Sequence, residues 1–329
     1  MANCNAAFFE YIRELNLTDT QFEKLQTSRD ALLRKISDKF KSEARTIPVF
    51  ASQGSYALDT INRPISDNFD LDHGVYLVHV PDGTALSVTD AFNLIIKAVE
   101  GQTALPLGDM PTCVRVRYKR AADDTPAHHV DLAVYRQYSN GKREFAHKVK
   151  GWLPTDQKGF IDLFKRQASI ADQLRPLVRV FKGWSDYNGS KPGSVKFPSG
   201  FHFTVCAMEC LSSSAQRLDQ AFVGTADRIL GRMRAQGAGT GSPFLRPVAP
   251  YEDIFLDYDW ARRQGIVAQF EHLVREGGRA LAEADLARAQ RIWRELLGER
   301  FPAPPEVKLE NPDRVWAAPA ILGRSDKAG

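Results

Sequence analysis

The sequence predicts an α+β protein: a mixed sheet with helices packed on it across residues 1–150, then a mainly α-helical second lobe over 151–329. Three observations predict this. Between residues 46 and 138, runs of period-two alternation are interleaved with helical stretches. After about residue 140 the apolar spacing becomes almost wholly helical. A long amphipathic helix precedes the first strand.

In order, residues 5–16 carry Phe8, Phe9, Ile12 and Leu15 at helical spacing. Thr18-Asp19 reads as a cap, and Phe22, Leu25, Leu32, Leu33, Ile36 and Phe40 continue a helix to about Ser42. Thr46 to Ala51 is a short strand ending at a Gln53-Gly54-Ser55 turn. Tyr56 to Ile61 reads as the start of a helix that Pro64 cuts short. Phe69 to Leu77 alternates as a strand, and Ser87 to Val99 is helical, with Ser87 and Asp90 at capping-box spacing. Thr112 to Lys119 is a half-buried strand, Ala121 to Pro126 a polar turn, and His128 to Tyr138 another strand. Helices are expected over 157–169, 172–188, 213–236, 257–276 and 280–298. Gly237 to Pro250 is a flexible Gly- and Pro-rich loop, and the tail from Phe301 is Pro-rich and extended.

A net charge of +4 is too low for a protein that coats nucleic acid, and it suits an anionic small substrate. The N-terminus has no basic region followed by an apolar core, so a cytoplasmic location is expected, and no apolar run is long enough to cross a membrane. The four cysteines are scattered and read as buried thiols rather than zinc ligands.

The chemistry concentrates between Gln53 and Leu77. Gly54 permits close backbone approach, and the amides and hydroxyl at Ser55 suit phosphate oxygens. Asp70 and Asp72 flank Leu71 on a strand, so both project from one face. Two acids held that close repel unless a cation lies between them. Asp131, between Val130 and Leu132, is a lone carboxylate on the polar face of a second strand. If the two strands are neighbours, the three acids converge as a site for two magnesium ions; the alternative for Asp131 is an ion pair with Arg115 or Arg117. Arg175, Arg179 and Lys182 share a helix face. Tyr56 is either a platform for a base or a core residue, and His128 and His129 read as structural.

The wording Q-G-S-Y-A-L-D-T-I-N-R-P, F-D-L-D-H-G-V-Y-L and H-H-V-D-L-A-V-Y resembles the nucleotidyltransferase superfamily typified by DNA polymerase beta. Within it, the chain is most similar to the bacterial CD-NTases, relatives of the cyclic GMP-AMP synthases and oligoadenylate synthases. His73 departs from the acid or small polar residue common after the acid pair. The resemblance implies a polymerase-beta-like core and catalysis by Asp70, Asp72 and Asp131 holding two Mg²⁺ ions, with Mn²⁺ an alternative. It implies substrate binding by Gln53, Gly54, Ser55, Tyr56, Arg179, Lys182 and Ser199. NTPs, ATP and/or GTP, would be condensed into a cyclic di- or trinucleotide with release of pyrophosphate, for anti-phage signalling (CBASS) through a separate effector protein. A ubiquitin-like ligase acting on Gly329 is a further partner the resemblance brings in. Nucleotidyl transfer onto RNA or a protein side chain is the alternative, and a degenerate nucleotide sensor a third reading; no membrane and no sequence-specific nucleic acid partner is expected.

Overall fold

The computed structural model describes residues 1–66, 68–80, 86–120 and 127–304. The turn expected over Ala121 to Pro126, and the tail from residue 305 with Gly329, lie outside the described residues.

Two helices come first, α1 (Asn5–Glu14) and α2 (Asp19–Ser42). Thr18 caps α2 as the sequence indicates: its side chain accepts from the Gln21 backbone N–H while the Gln21 side chain accepts from that of Thr18. Strand β1 (Val49–Ser52) follows, then α3 (Gly54–Ala57). The helix expected over Tyr56 to Ile61 is only this four-residue turn, starting two residues earlier. Asp59, at φ +56°, leaves the helical region and ends it before Pro64 can act.

The sheet is completed by β2 (Phe69–Val80), β3 (Gly108–Asp109), β4 (Val114–Tyr118), β5 (His128–Tyr138), β6 (Arg143–His147) and β7 (Gly151–Pro154), with α4 (Val88–Val99) between β2 and β3. Its main order is β1-β2-β5-β4-β3, and β6 pairs with both β5 and β7. Among the described residues only the central β2/β5 pair is parallel. A parallel pair needs a long crossover, which α4, β3 and β4 provide. The sheet therefore runs past residue 140, where the sequence showed only a change to helical texture. The alternation in β6 and β7 is too short to stand out between the Ser139–Lys142 and Lys148–Lys150 turns.

Leu71, Val75, Val130, Leu132 and Val134 leave the inner face of the central pair and pack with Leu25, Leu32 and Ile36 of α2 and Phe92 and Ile95 of α4. A second cluster gathers α5 (Gln157–Ile170), α6 (Leu174–Gly189), α7 (Gly200–Cys210), α8 (Leu218–Gly237), α9 (Trp260–Ala282) and α10 (Leu286–Leu297) around Phe181, Trp184, Phe222 and Trp293. α1 belongs to this second cluster: Phe8 meets Trp293 edge-on at 4.8 Å, and the Tyr11 hydroxyl donates to the Leu297 carbonyl. The chain thus begins in the helical lobe, crosses to build the sheet, and returns.

The loop over 237–250 is anchored. Phe244 is fully buried, Leu245 bridges Asp253, and Arg232 donates to the carbonyls of Ser242 and Pro243. All four cysteines are buried free thiols. Among the described residues no helix is long and apolar enough to cross a membrane.

Candidate active site

The β2/β5 register builds the site. Asp72 stands opposite Asp131, and Asp70 opposite His129. Residues two apart on a strand share a face, so the three acids and one imidazole form a single patch while Leu71 and Val130 point into the core. On the far side of β5, Arg115 of β4 stands opposite Asp131, and Arg117 opposite His129.

Arg115 grips Asp131 with two parallel bonds, Nε to Oδ1 at 2.8 Å and a terminal nitrogen to Oδ2 at 2.7 Å. The ion pair weighed for Asp131 from sequence is therefore present, with Arg115 rather than Arg117. A carboxylate has about four lone-pair sites, so this pair leaves capacity for a cation. Arg115→Met would leave Asp131 buried without its partner. Urea denaturation is expected to show a loss of about 3 kcal/mol, the usual cost of breaking a buried pair from one side.

The turn after β1 presses against the acids. The Gln53 backbone N–H donates to the Asp72 carbonyl at 3.0 Å. Gly54 has φ +56°, and a Cβ there would lie 1.9 Å from Asp72 Oδ2. The Gln53 side chain is committed inside the fold, donating to the Tyr76 hydroxyl and accepting from that of Tyr135, both at 3.0 Å. It secures the base of the turn.

Two cavities meet at the acids. One, of about 370 Å³, is lined by Gly54, Ser55, Asp70, Asp72, Lys182 and Ser199. The other, of about 510 Å³, shares Gly54, Asp72 and Ser199 and adds Asp131, Cys113 and Arg246. Lys182 Nζ donates to the Thr60 carbonyl at 2.7 Å. Burial lowers its pKa to about 8, with Asp70 opposing. Its stem lies against Gly200, where a Cβ would come within 3.1 Å of Lys182 Cε. Ser199 sits at the N-cap of α7 but makes no side-chain capping bond; its Oγ lies 2.8 Å from His202 Nδ1.

Two residues expected to bind substrate are placed elsewhere. Arg179 donates to Asn62 Oδ1 at 2.9 Å, Asn16 Oδ1 at 2.7 Å and the Ile12 carbonyl at 3.2 Å, so it ties α6 to α1 and to the segment after α3. It does not line either cavity. The Tyr56 ring stacks on Phe22 at 5.5 Å, and its hydroxyl accepts from Gln26 and Arg29. It faces α2 and takes the core alternative. His73 points away from the acids; it is buried, neither ring nitrogen has a hydrogen-bond partner, and burial drives its pKa down to about 4.

Burial, then the charges of Asp70 and Asp131, push the Asp72 pKa up to about 7. An acid site held this unfavourably when ionised fits a divalent cation. Asp70, His129 and Asp131 each offer a ligand atom, all within 4.8 Å of one another. The raised pKa has a definite sign. Unfolded Asp72 ionises near its ordinary value while folded Asp72 keeps its proton to about pH 7, so ionised Asp72 destabilises the metal-free fold increasingly across that window. Asp72→Asn is therefore expected to gain stability over wild type as pH rises from about 5 to about 8, on the order of 2 kcal/mol. Paired thermal melts in chelator would read it.

Residues 48–135 match the family of cyclic GMP-AMP synthase DncV-like nucleotidyltransferase domains. Over these residues the chain is similar to that nucleotidyltransferase family. Solved structures extend the likeness in fold to most of the chain. Vibrio cholerae DncV in its GTP-bound form superposes with a TM-score of 0.74 at 18% identity, covering 92% of this chain and 97% of that one. Escherichia coli DncV bound to 3'-deoxy GTP gives 0.68 at 20%, covering 88% and 93%. CdnC of E. coli MS115-1 with ATP gives 0.69 at 15%, covering 91% and 99%.

Around this site the structure adds two residues to those expected from the sequence. His129 was set aside as structural, although its position two before Asp131 on a strand already places it on the acid face. Arg246 gave no local signal. It comes from the anchored loop, packs its guanidinium over Phe201 at 4.8 Å, and reaches the second cavity only through the tertiary fold.

Proposed function

We propose that the chain is a divalent-metal-dependent synthase that condenses NTPs, ATP and/or GTP, into a cyclic di- or trinucleotide with release of pyrophosphate. The observation that carries this is the pair of cavities meeting at Asp72: one with Ser55 and Lys182 for a triphosphate, the other beside Asp131 for the attacking nucleotide. A site with room for two nucleotides on either side of three acids suits joining one nucleotide to another.

In each joining step a ribose hydroxyl oxygen bonds to the α-phosphorus of a second nucleotide. The bond from that phosphorus to the pyrophosphate oxygen breaks, and the hydroxyl proton passes to solvent. Asp70, Asp72 and Asp131 would hold two Mg²⁺ ions, Mn²⁺ being the alternative, which supply charge neutralisation and a more acidic hydroxyl. Lys182 and Ser55 take the phosphate oxygens, and Gly54 keeps the backbone close enough to Asp72 for phosphate and acid to meet. Ser199 borders both cavities and orients the two nucleotides. In the last pass through the site the linear product's free hydroxyl attacks the α-phosphorus at its own 5' end, releasing pyrophosphate and closing the ring.

The setting follows the resemblance: an anti-phage signal made in the cytoplasm and read by a separate effector protein. The solved CdnC:HORMA complex supports protein partners for such enzymes. Conjugation of Gly329 by a ubiquitin-like ligase belongs to the same proposal.

Incubating the purified protein with α-labelled NTP mixtures and Mg²⁺ tests the reading. A label resistant to phosphatase and migrating as a cyclic oligonucleotide is expected. Label on added RNA or on protein would replace the proposal, and no turnover with any NTP pair would overturn it.

A further inference from the structure

We infer that His129 is a nitrogen ligand of the cation held at Asp70 and Asp131, and that it biases this site toward ions that accept imidazole, such as Mn²⁺, over Mg²⁺. The inference rests on the reading that the acids hold a divalent cation.

Three observations carry it. Asp70 and His129 are Cα partners in the parallel register, and His129 and Asp131 are two apart on β5, so the three project from adjoining positions of one sheet face. Their ligand atoms lie within 4.8 Å of one another. His129 Nε2 is 4.0 Å from Asp131 Oδ2, too long for a hydrogen bond. Two donors bound to one ion at about 2.1 Å each can be no more than about 4.2 Å apart, so this spacing suits two ligands of a single cation.

The surroundings fix the imidazole there. His129 is 9% exposed on the central strand of the sheet. Arg115 donates one bond to each oxygen of Asp131 from the β4 side, which leaves lone-pair capacity on both oxygens for a cation. Magnesium favours an all-oxygen octahedron; the first-row transition ions, Mn²⁺ the weakest binder among them, tolerate an imidazole in its place better. A nitrogen ligand here therefore discriminates among ions that an all-carboxylate site would take alike.

The full chain loaded with one equivalent of Mn²⁺, without nucleotide, provides the test. Pulsed EPR is expected to show ¹⁴N modulation from a coordinated imidazole in wild type and in His128→Gln, and none in His129→Gln. By calorimetry, His129→Gln is expected to lower Mn²⁺ affinity about tenfold and Mg²⁺ affinity less than about threefold. Mn²⁺ bound without nitrogen coupling, coupling that persists in folded His129→Gln, or equal loss of both affinities would overturn the role of His129 and leave the acid site standing. Failure of wild type to bind Mn²⁺ at all would overturn both.

Discussion

Replacing Asp70 and Asp72 together by Asn is expected to abolish nucleotidyl transfer, by about a thousandfold or more, and to leave the fold intact. The two carboxylates face the same cavity as Ser55 and Lys182, and one of them stands opposite Asp131. Without them, the negative charge needed to hold divalent cations beside a triphosphate is gone, and with it several kcal/mol of transition-state stabilisation. The fold survives because neither side chain serves the core: Leu71 on the opposite face anchors β2. Burial, and then the charges of Asp70 and Asp131, already disfavour the ionised form of Asp72 and push its pKa up to about 7. Loss of activity with unchanged or raised metal-free stability is the expected signature. Pyrophosphate release measured alongside chemical denaturation would check it; loss of both together would mean that the acids are structural.

Gly54→Ala is expected to cost less activity but also stability, for a different reason. The new Cβ would sit 1.9 Å from Asp72 Oδ2, so the turn or the acid must move. The φ of +56° adds backbone strain for any residue with a Cβ, about 1–2 kcal/mol. Stability is expected to fall by about 2 kcal/mol, and activity by about a hundredfold, because displacement on the scale of an ångström at a reacting centre is that costly. Steady-state kinetics of the folded variant would separate this from unfolding: kcat should fall while secondary structure by circular dichroism is kept.

The central site was legible because it rests on period-two arithmetic. Asp70-Leu71-Asp72 and Val130-Asp131-Leu132 each show one face polar and the other apolar, and two such strands need only be neighbours for the acids to converge. Helix α2 was equally open to reading, from Thr18 and Gln21 at its start to the apolar stripe that meets the sheet. What could not be read was which neighbour a polar side chain finds. Helical spacing puts Arg179 and Lys182 near one another on α6, yet one turns toward Asn16 and Asn62 while the other reaches Thr60 and the acids. That choice is made by how α1 docks against α6, a contact between residues far apart in sequence. Tyr56 was taken from the cavity by Phe22 for the same reason. His129 was legible in the same alternation that revealed Asp131, but treating histidine only as a base hid its use as a ligand. Arg246 depends on the long-range anchoring of its loop by Phe244 and Arg232.

The most direct measurement is anomalous diffraction at the manganese edge from crystals grown with Mn²⁺ and a non-hydrolysable NTP. Anomalous peaks at Asp70, Asp72 and Asp131, with the triphosphate running from Ser55 to Lys182, are the expected result. A nucleotide bound away from the acids, or density for the triphosphate with no anomalous peak beside Asp70 and Asp72, would contradict the site.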